Sequence, residues 1–329
     1  MEPDLKQLYR SMLRIRMVEE RIAELYAEQE MRCPVHLCNG QEAVAVGVSA
    51  ALRRDDYVLS AHRAHGHFLA KGGNLRAFVA ELYGRATGCC QGRGGSMHLI
   101  DLAAGFLCAV PIVGSTISIA VGAALGFSMR GEQRVVALYL GDGATEEGVF
   151  HESLNFAALK NLPVVFVCEN NHFSVYSPLS VRQPEGREII KLAEGHGIES
   201  HQADGNDASA VYRLTFAAVA KARAGRGPSF LEFETYRWRE HCGPNYDNDL
   251  GYRTIEEFEQ WRLRCPVATT RERLLARRIL TQSEDEQFQA KIAAEIDDAV
   301  RFAKESPFPE PATLTEGVFA PARNGGPTI

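Results

Sequence analysis

The stretch Gly141–Phe173, GDGATEEGVFHESLNFAALKNLPVVFVCENNHF, decides how this chain is read. The apolar run just before it, Val135 to Leu140 (VVALYL), is rich in valine with one tyrosine and predicts a buried strand. Gly141-Asp142-Gly143 breaks that strand. Val149, Phe150, Leu154, Ala157, Ala158 and Leu159 then recur at helical spacing, until Asn161-Leu162-Pro163 stops the helix ahead of a second apolar strand, Val164 to Val167. The unit is strand, turn, helix, strand, and polar groups follow each strand: Asp142 after the first, Asn170-Asn171 after the second. In an open parallel sheet both loops emerge at the carboxyl edge and can meet on one ligand. Glycines let backbone N–H groups approach an anion closely. A carboxylate and an amide carbonyl supply hard oxygen ligands for Mg2+, whose remaining positions go to phosphate oxygens and water. The two motifs together point to a metal-bridged diphosphate, whereas GDG alone reads equally as a tight turn.

Working outward, 329 residues with 45% apolar content fit one large α/β domain or two small ones. The net charge of −6, without long runs of one sign, argues against a nucleic-acid surface. The start, MEPDLKQLYR, lacks an apolar segment of signal-peptide type, and no apolar run reaches membrane-spanning length, so a cytoplasmic chain with no membrane contact is expected. Eight cysteines show no CxxC spacing; free thiols are expected, and a zinc site is not.

Leu5, Leu8, Met12, Ile15, Ile22 and Leu25 mark an amphipathic helix from Leu5 to Glu30, and another helix runs from Gln41 to Leu52 behind His36. Read alone, His36 is a lone histidine beside a helix start, which is more often structural than functional. Tyr57 to Ser60 is a strand, followed by Ala61-His62-Arg63-Ala64-His65-Gly66-His67. Three histidines and an arginine at a strand end are hard to explain as packing, the alternative being a solvated cationic loop. Thr87–Leu99 is a glycine-rich loop; Gly105 to Val113 crosses to a small-residue helix from Gly114-Ser115 to Met129. After a mixed loop and a helix near Ile189, Asp204-Gly205-Asn206-Asp207 predicts a turn capping a helix from Ala208 to Arg223. The strand Phe230–Thr235 delivers Tyr236–Cys242 (YRWREHC) to the same carboxyl edge. Helices over 255–264, 271–280 and 284–304 close the chain, with poor order expected from Pro307 onward. No internal linker is evident, so residues 1–329 read as a single domain.

GDG followed by NN after a helix and a strand, together with HLCNGQEA, HRAHGH, GRGGSMH and TYRW, resembles the alpha subunit of the thiamine diphosphate-dependent, decarboxylating component of 2-oxo acid dehydrogenase complexes, pyruvate and acetoin types. The resemblance runs from about Leu5 to about Pro309. It implies the α/β thiamine diphosphate-binding fold, a mostly parallel sheet flanked by helices on both faces, with a helical C-terminal segment. It implies Mg2+ on Asp142, Asn171 and the Phe173 carbonyl, with N–H groups of Gly143 and Ala144 on the diphosphate. His62, Arg63, Val113 and His241 would also contact the cofactor, and His36, His65 and His241 would serve catalysis. The activating glutamate would come from a beta subunit, in an assembly of two alpha and two beta chains. The reaction implied is cleavage of the C–C bond beside the ketone of a 2-oxo acid or acetoin-like substrate, with the acyl unit passed to a lipoyl-bearing acyltransferase. Alternatives are a decarboxylase or carboligase without a lipoyl partner, and a non-catalytic cofactor-binding subunit. The chain departs from the pattern at His62 (usually tyrosine), Pro111 (glycine), Phe173 (often tyrosine), Glu240 (glycine) and Cys242, where animal pyruvate enzymes carry a phosphorylatable serine.

Overall fold

The two strands read first from the sequence lie at the centre of the computed structural model, which describes residues 2–31 and 33–318. The strands are β1 (Tyr57–Ser60), β2 (Phe106–Ala109), β3 (Val136–Gly141), β4 (Val164–Asn170), β5 (Phe173–Ser174), β6 (Ser177–Pro178), β7 (Glu199–Asp204) and β8 (Ser229–Glu234). The helices are α1 (Leu5–Tyr26), α2 (Glu42–Ala51), α3 (His65–Ala70), α4 (Leu75–Leu82), α5 (Ser115–Met129), α6 (Gly148–Leu159), α7 (Leu179–Arg182), α8 (Ile189–Glu194), α9 (Ala208–Arg223), α10 (Ile255–Leu263), α11 (Pro266–Ala276) and α12 (Gln282–Glu305). A six-stranded sheet runs in the order β2-β1-β3-β4-β8-β7 with every pairing parallel, while β5 and β6 form a separate antiparallel hairpin.

Alternation along the central strands sorts their side chains onto two faces. Ala137, Tyr139, Val165 and Val167 pack with α1, α2 and α9 residues such as Met12, Val44 and Val211. Val136, Leu138, Val164 and Phe166 pack on the other face with Ile117 of α5 and Leu154 of α6. Both faces of the sheet are therefore covered, as an all-parallel sheet requires, and each residue of β4 is buried. Among the described residues no helix is long and apolar enough to cross a membrane. The eight cysteines are free thiols.

Several boundaries differ from the sequence reading. α1 stops at Tyr26, four residues before Glu30, and Gln29 then takes a left-handed φ of 59°. β2 and β7 were not foreseen. β2 has only four residues, and β7 (ESHQAD) is a polar strand at the sheet edge, where one side needs no apolar partner. α11 begins at Pro266, not Arg271, because proline suits a first helical turn and the Cys265 thiol accepts from the Ala268 N–H. The segment after β1 is only briefly a loop, since α3 starts at His65. The turn before α9 is as expected, with the Asp207 carboxylate accepting from Ser209 and Ala210 N–H groups. The poor order expected from Pro307 onward is not what residues 307–318 show. The Ala86 N–H donates to the Pro307 carbonyl, the Arg85 guanidinium lies 3.8 Å over the Phe308 ring, and Arg93 donates to the Thr313 and Glu316 carbonyls. Residues 319–329 of that tail lie outside the described residues.

One buried carboxylate organises the glycine-rich loop. Glu81 of α4 is 1% exposed; Oε2 accepts from the Cys90 and Gly92 N–H groups at 2.7 and 2.9 Å, and Oε1 from those of Gly94 and Gly95 at 2.7 and 3.0 Å. At Gly92, with φ 74°, a β-carbon would meet the Gly84 carbonyl at 2.6 Å, so the loop can close over the carboxylate only with glycine there. Glu81→Ala strands these donors and is expected to cost about 3 kcal/mol or more. Denaturant unfolding measures the loss, and faster proteolysis within 87–99 locates it.

Candidate active site

The carboxyl ends of β1, β3, β4 and β8 open into one cleft of about 730 Å3, counting its open mouth. β1 sends Ser60, His62 and Arg63 into it, β3 sends Asp142 to Ala144, β4 sends Glu169, Asn171 and Phe173, and the loop after β8 brings His241. Val113 and Gly114 close the rim ahead of α5.

At one end the lining is oxygen-rich. Asp142 is 2% exposed, and burial pushes its carboxyl above the ordinary carboxylate range while Arg182 of α7 pulls the other way. The Arg182 guanidinium donates to Asp142 Oδ2 and, at 2.5 Å, to Glu146 Oε1. Asn171 is held by its Nδ2, which donates to Gln41 Oε1 at 3.1 Å, leaving Oδ1 with only the Phe173 N–H at 3.2 Å. At Gly143 a β-carbon would stand 2.7 Å from Ser174 Oγ and 3.1 Å from its Cβ, so a larger residue there would displace Ser174. A carboxylate, an amide oxygen and a nearby backbone carbonyl make a donor set for a hard cation, and a guanidinium already sits on part of it.

Arg63 faces that set across the cleft. It is buried, its Nη1 donates to the Leu37 carbonyl at 2.7 Å, and its Nη2 donates to the His241 carbonyl at 3.1 Å. Among the described residues no carboxylate pairs with it, and burial together with the nearby Arg237 charge pushes its pKa down to about 9. A buried guanidinium without a counter-charge is costly, so this cleft is built to receive an anion.

Beside Arg63 the His36 ring meets those of His62 and His241 edge on, with centroids 4.7 and 5.1 Å apart, and the His62 and His241 rings are tilted to each other at 5.2 Å. Burial first, then the Arg63 charge, lowers their pKa values to about 2, 3 and 3 respectively. All three are neutral at physiological pH, each with one donor and one acceptor nitrogen.

A sequence model of the family described as Dehydrogenase E1 component matches residues 9–312, more than nine-tenths of the chain. The chain belongs to that family. The alpha subunit of acetoin:2,6-dichlorophenolindophenol oxidoreductase from Bacillus subtilis is 38% identical, over 97% of this chain and 94% of its own length. The pyruvate dehydrogenase E1 component subunit alpha of Porphyra purpurea is also 38% identical, over 95% of this chain and 92% of its own length. The somatic mitochondrial form from Rattus norvegicus is 35% identical, over 92% and 76%. E1 components are thiamine diphosphate-dependent oxidoreductases, and their alpha subunits work with a beta subunit.

In this E1 chain Asp142, Gly143, Ala144, Asn171, Phe173, His62, Arg63, Val113 and His241 all line the cleft, and His36 stands behind the two histidines. His65 does not. It is wholly buried, with Nδ1 2.7 Å from Glu19 Oε1 and Nε2 2.6 Å from Ser96 Oγ, so neither ring nitrogen is left for a substrate. The reason is helical: α3 begins at His65, and two residues on, about 200° around the helix axis, His67 turns to the cleft instead. His67 stacks on Tyr139 at 3.6 Å, its Nδ1 lies 2.8 Å from Ser60 Oγ, and its Nε2 lies 3.2 Å from Glu169 Oε2. His67, Glu169 and Gln41 were passed over in the sequence, although each sits inside a quoted motif: HRAHGH, CENN and GQEA. Asn170, named with Asn171, turns away and donates to Glu232 Oε1. Glu240 also takes no place in the cleft, for its carboxylate accepts from the Asn245 N–H at 2.8 Å and closes a turn.

His65→Leu leaves buried Glu19 without its imidazole partner and is expected to cost about 3–5 kcal/mol. The double variant His65→Leu/Glu19→Leu should recover much of that loss, since two apolar side chains leave no stranded charge. Unfolding midpoints of the three chains check this, and an unchanged midpoint in His65→Leu would refute the structural role.

Proposed function

We propose that this chain is the alpha subunit of a thiamine diphosphate-dependent 2-oxo acid or acetoin dehydrogenase, which cleaves the C–C bond beside a ketone and passes the acyl unit to a lipoyl group. The observation that carries this reading is the buried, unpaired Arg63 facing an oxygen donor set across one cleft. Asp142, Asn171 Oδ1 and the Phe173 carbonyl would hold Mg2+, and the diphosphate would take the N–H groups of Gly143 and Ala144 with the charge of Arg63. Arg182 must then yield its Asp142 oxygen. When bound, the cofactor supplies the nucleophilic carbon and the electron sink.

The chain's own residues do the rest. Apolar walls from Val113, Ile117, Phe173 and Val175 keep water from the reacting end. His241 and His62, neutral and neighbouring, are placed to donate to a carbonyl oxygen or take up a proton, and His36 holds them from behind. His67, fixed between Ser60 and Glu169, lines the inner wall. The printed names of relatives, acetoin oxidoreductase and pyruvate dehydrogenase, support a small ketone as substrate. Next to the cleft rim, Ile112, Val113, Ile119 and Met129 are exposed along the start and one side of α5. That apolar strip suits the beta subunit, which would bring the activating glutamate in an assembly of two alpha and two beta chains, with a lipoyl-bearing acyltransferase as acceptor.

The test uses the full chain co-expressed with its beta subunit. Asp142→Ala should abolish joint binding of Mg2+ and thiamine diphosphate in calorimetry, with turnover lost and the melting curve little changed. Normal activity at limiting cofactor would rule the site out. His241→Ala should keep cofactor affinity within a few-fold and lower turnover about a hundredfold, the scale of a lost proton-transfer group. Acyl transfer to free lipoamide by the wild-type pair separates this reading from a carboligase.

A further inference from the structure

We propose that His36, His62 and His241 form a second cation site in this chain, one that takes a transition-metal dication of the zinc class through three imidazole nitrogens. One ring nitrogen of each residue lies within 4.8 Å of the other two, although the three come from separate loops. Zinc–imidazole bonds of about 2.0–2.1 Å put tetrahedral nitrogens about 3.3 Å apart, so small ring rotations close the set. A second observation points the same way. His36 is 6% exposed, yet its Nδ1 is buried without a hydrogen-bond partner. Buried polar atoms in folded chains rarely lack one.

The chemistry separates this site from the oxygen set at Asp142. Three imidazoles with no carboxylate suit Zn2+, Co2+ or Ni2+ and not Mg2+, which demands oxygen. The rings are already in the neutral, ligating form. His62 and His241 both face the cleft, so a fourth position opens into it, the arrangement of zinc sites that keep an exchangeable ligand. Arg63, whose Nη2 lies 3.5 Å from His241 Nδ1, has the same sign as the metal and repels it, and an anion such as hydroxide or carboxylate in that fourth position offsets the repulsion. An ion held there fills the end of the cleft where the histidines would meet a substrate, so zinc-class cations should inhibit from the substrate side. The cation site depends on the cleft's geometry alone, and only the expected inhibition rests on the thiamine diphosphate reading. The cysteines gave no reason to expect zinc. The one thiol cluster among the described residues, Cys89 and Cys90 with Glu81, has its carboxylate committed to backbone N–H groups.

Calorimetric titration of the full chain with Zn2+, and of a parallel sample with Co2+ followed by absorption, tests this. The expected result is one Zn2+ per chain and visible Co2+ bands without a thiolate charge-transfer band. His62→Tyr and His36→Gln should each weaken Zn2+ about a hundredfold. A triple Cys89→Ser/Cys90→Ser/Cys242→Ser variant should bind as wild type, and so should Asp142→Ala, which removes the cofactor site alone. If either histidine variant melts early without metal, His241→Gln replaces it. The proposal is overturned by a thiolate band, by loss of binding in the cysteine variant, by undiminished binding in the histidine variants, or by no Zn2+ binding at all.

Discussion

The loops that carry Arg63, Asp142, Asn171 and His241 each leave a strand that points the same way, and the cleft depends on that common direction. The ladders set the heights. Gly141 stands opposite Glu169 and Asn170 opposite Glu234, so Asp142, Asn171 and the segment leading to His241 emerge on one level. A slip of one residue in β4 would exchange Val165 and Val167 for Val164 and Phe166 between the two faces and turn Asn171 away from the cleft. Both faces of β3 and β4 are packed, so the register is fixed from two sides at once. The helices that cover the sheet thereby act on the cleft through the strands, and α5 also reaches it directly with Thr116 and Ile117.

Charge within the cleft is balanced at one end and left open at the other. Asp142 and Glu146 share Arg182, so the oxygen end is partly neutralised by one guanidinium that a metal ion can replace. Arg63, by contrast, has two backbone carbonyls and a long contact to His241 Nδ1 but no carboxylate among the described residues, and the histidines beside it are neutral. In a low-dielectric pocket an unpaired positive charge acts strongly on whatever negative group arrives, and it needs no reorganisation to do so. A ligand with two anionic groups and its own cation satisfies both ends together, where a simple anion would satisfy only one.

Much of this was legible before any coordinates. Apolar runs gave β3, β4 and β8, and the residues after each of them meet in space. What was not legible follows from burial and helix phase. His65 and His67 look interchangeable in HRAHGH, and only the start of α3 at His65 decides which one turns inward to Glu19 and which lines the cleft. Glu169 hides within an apolar strand, where a carboxylate is expected only if something pairs with it; His67 does, through one oxygen, while the other has no partner. β7 escaped because an edge strand can be polar, and α11 because its start rests on Pro266 and a thiol cap that carry no periodic signal.

The departures from the E1 pattern sort themselves by position. Glu240 stands where the family resemblance implies glycine, and here its carboxylate accepts from the Asn245 N–H while its own N–H donates to the Asn245 carbonyl. Gly243, at φ 130°, leaves no room for a β-carbon beside that carboxylate, and its N–H donates to the Val35 carbonyl. The loop is further held where Arg63 donates to the His241 carbonyl. His241 is thus positioned by backbone anchors on either side of it, with Glu240 as a strut and Cys242 exposed to solvent. Two of these departures line the cleft: Phe173, which lacks the phenol hydroxyl the resemblance implies, and His62, an imidazole in place of a phenol that meets two other imidazoles. Of the departures that reach the cleft, His62 is the one that adds a proton-carrying group, because Phe173 only lacks a hydroxyl and Glu240 is spent on holding the loop.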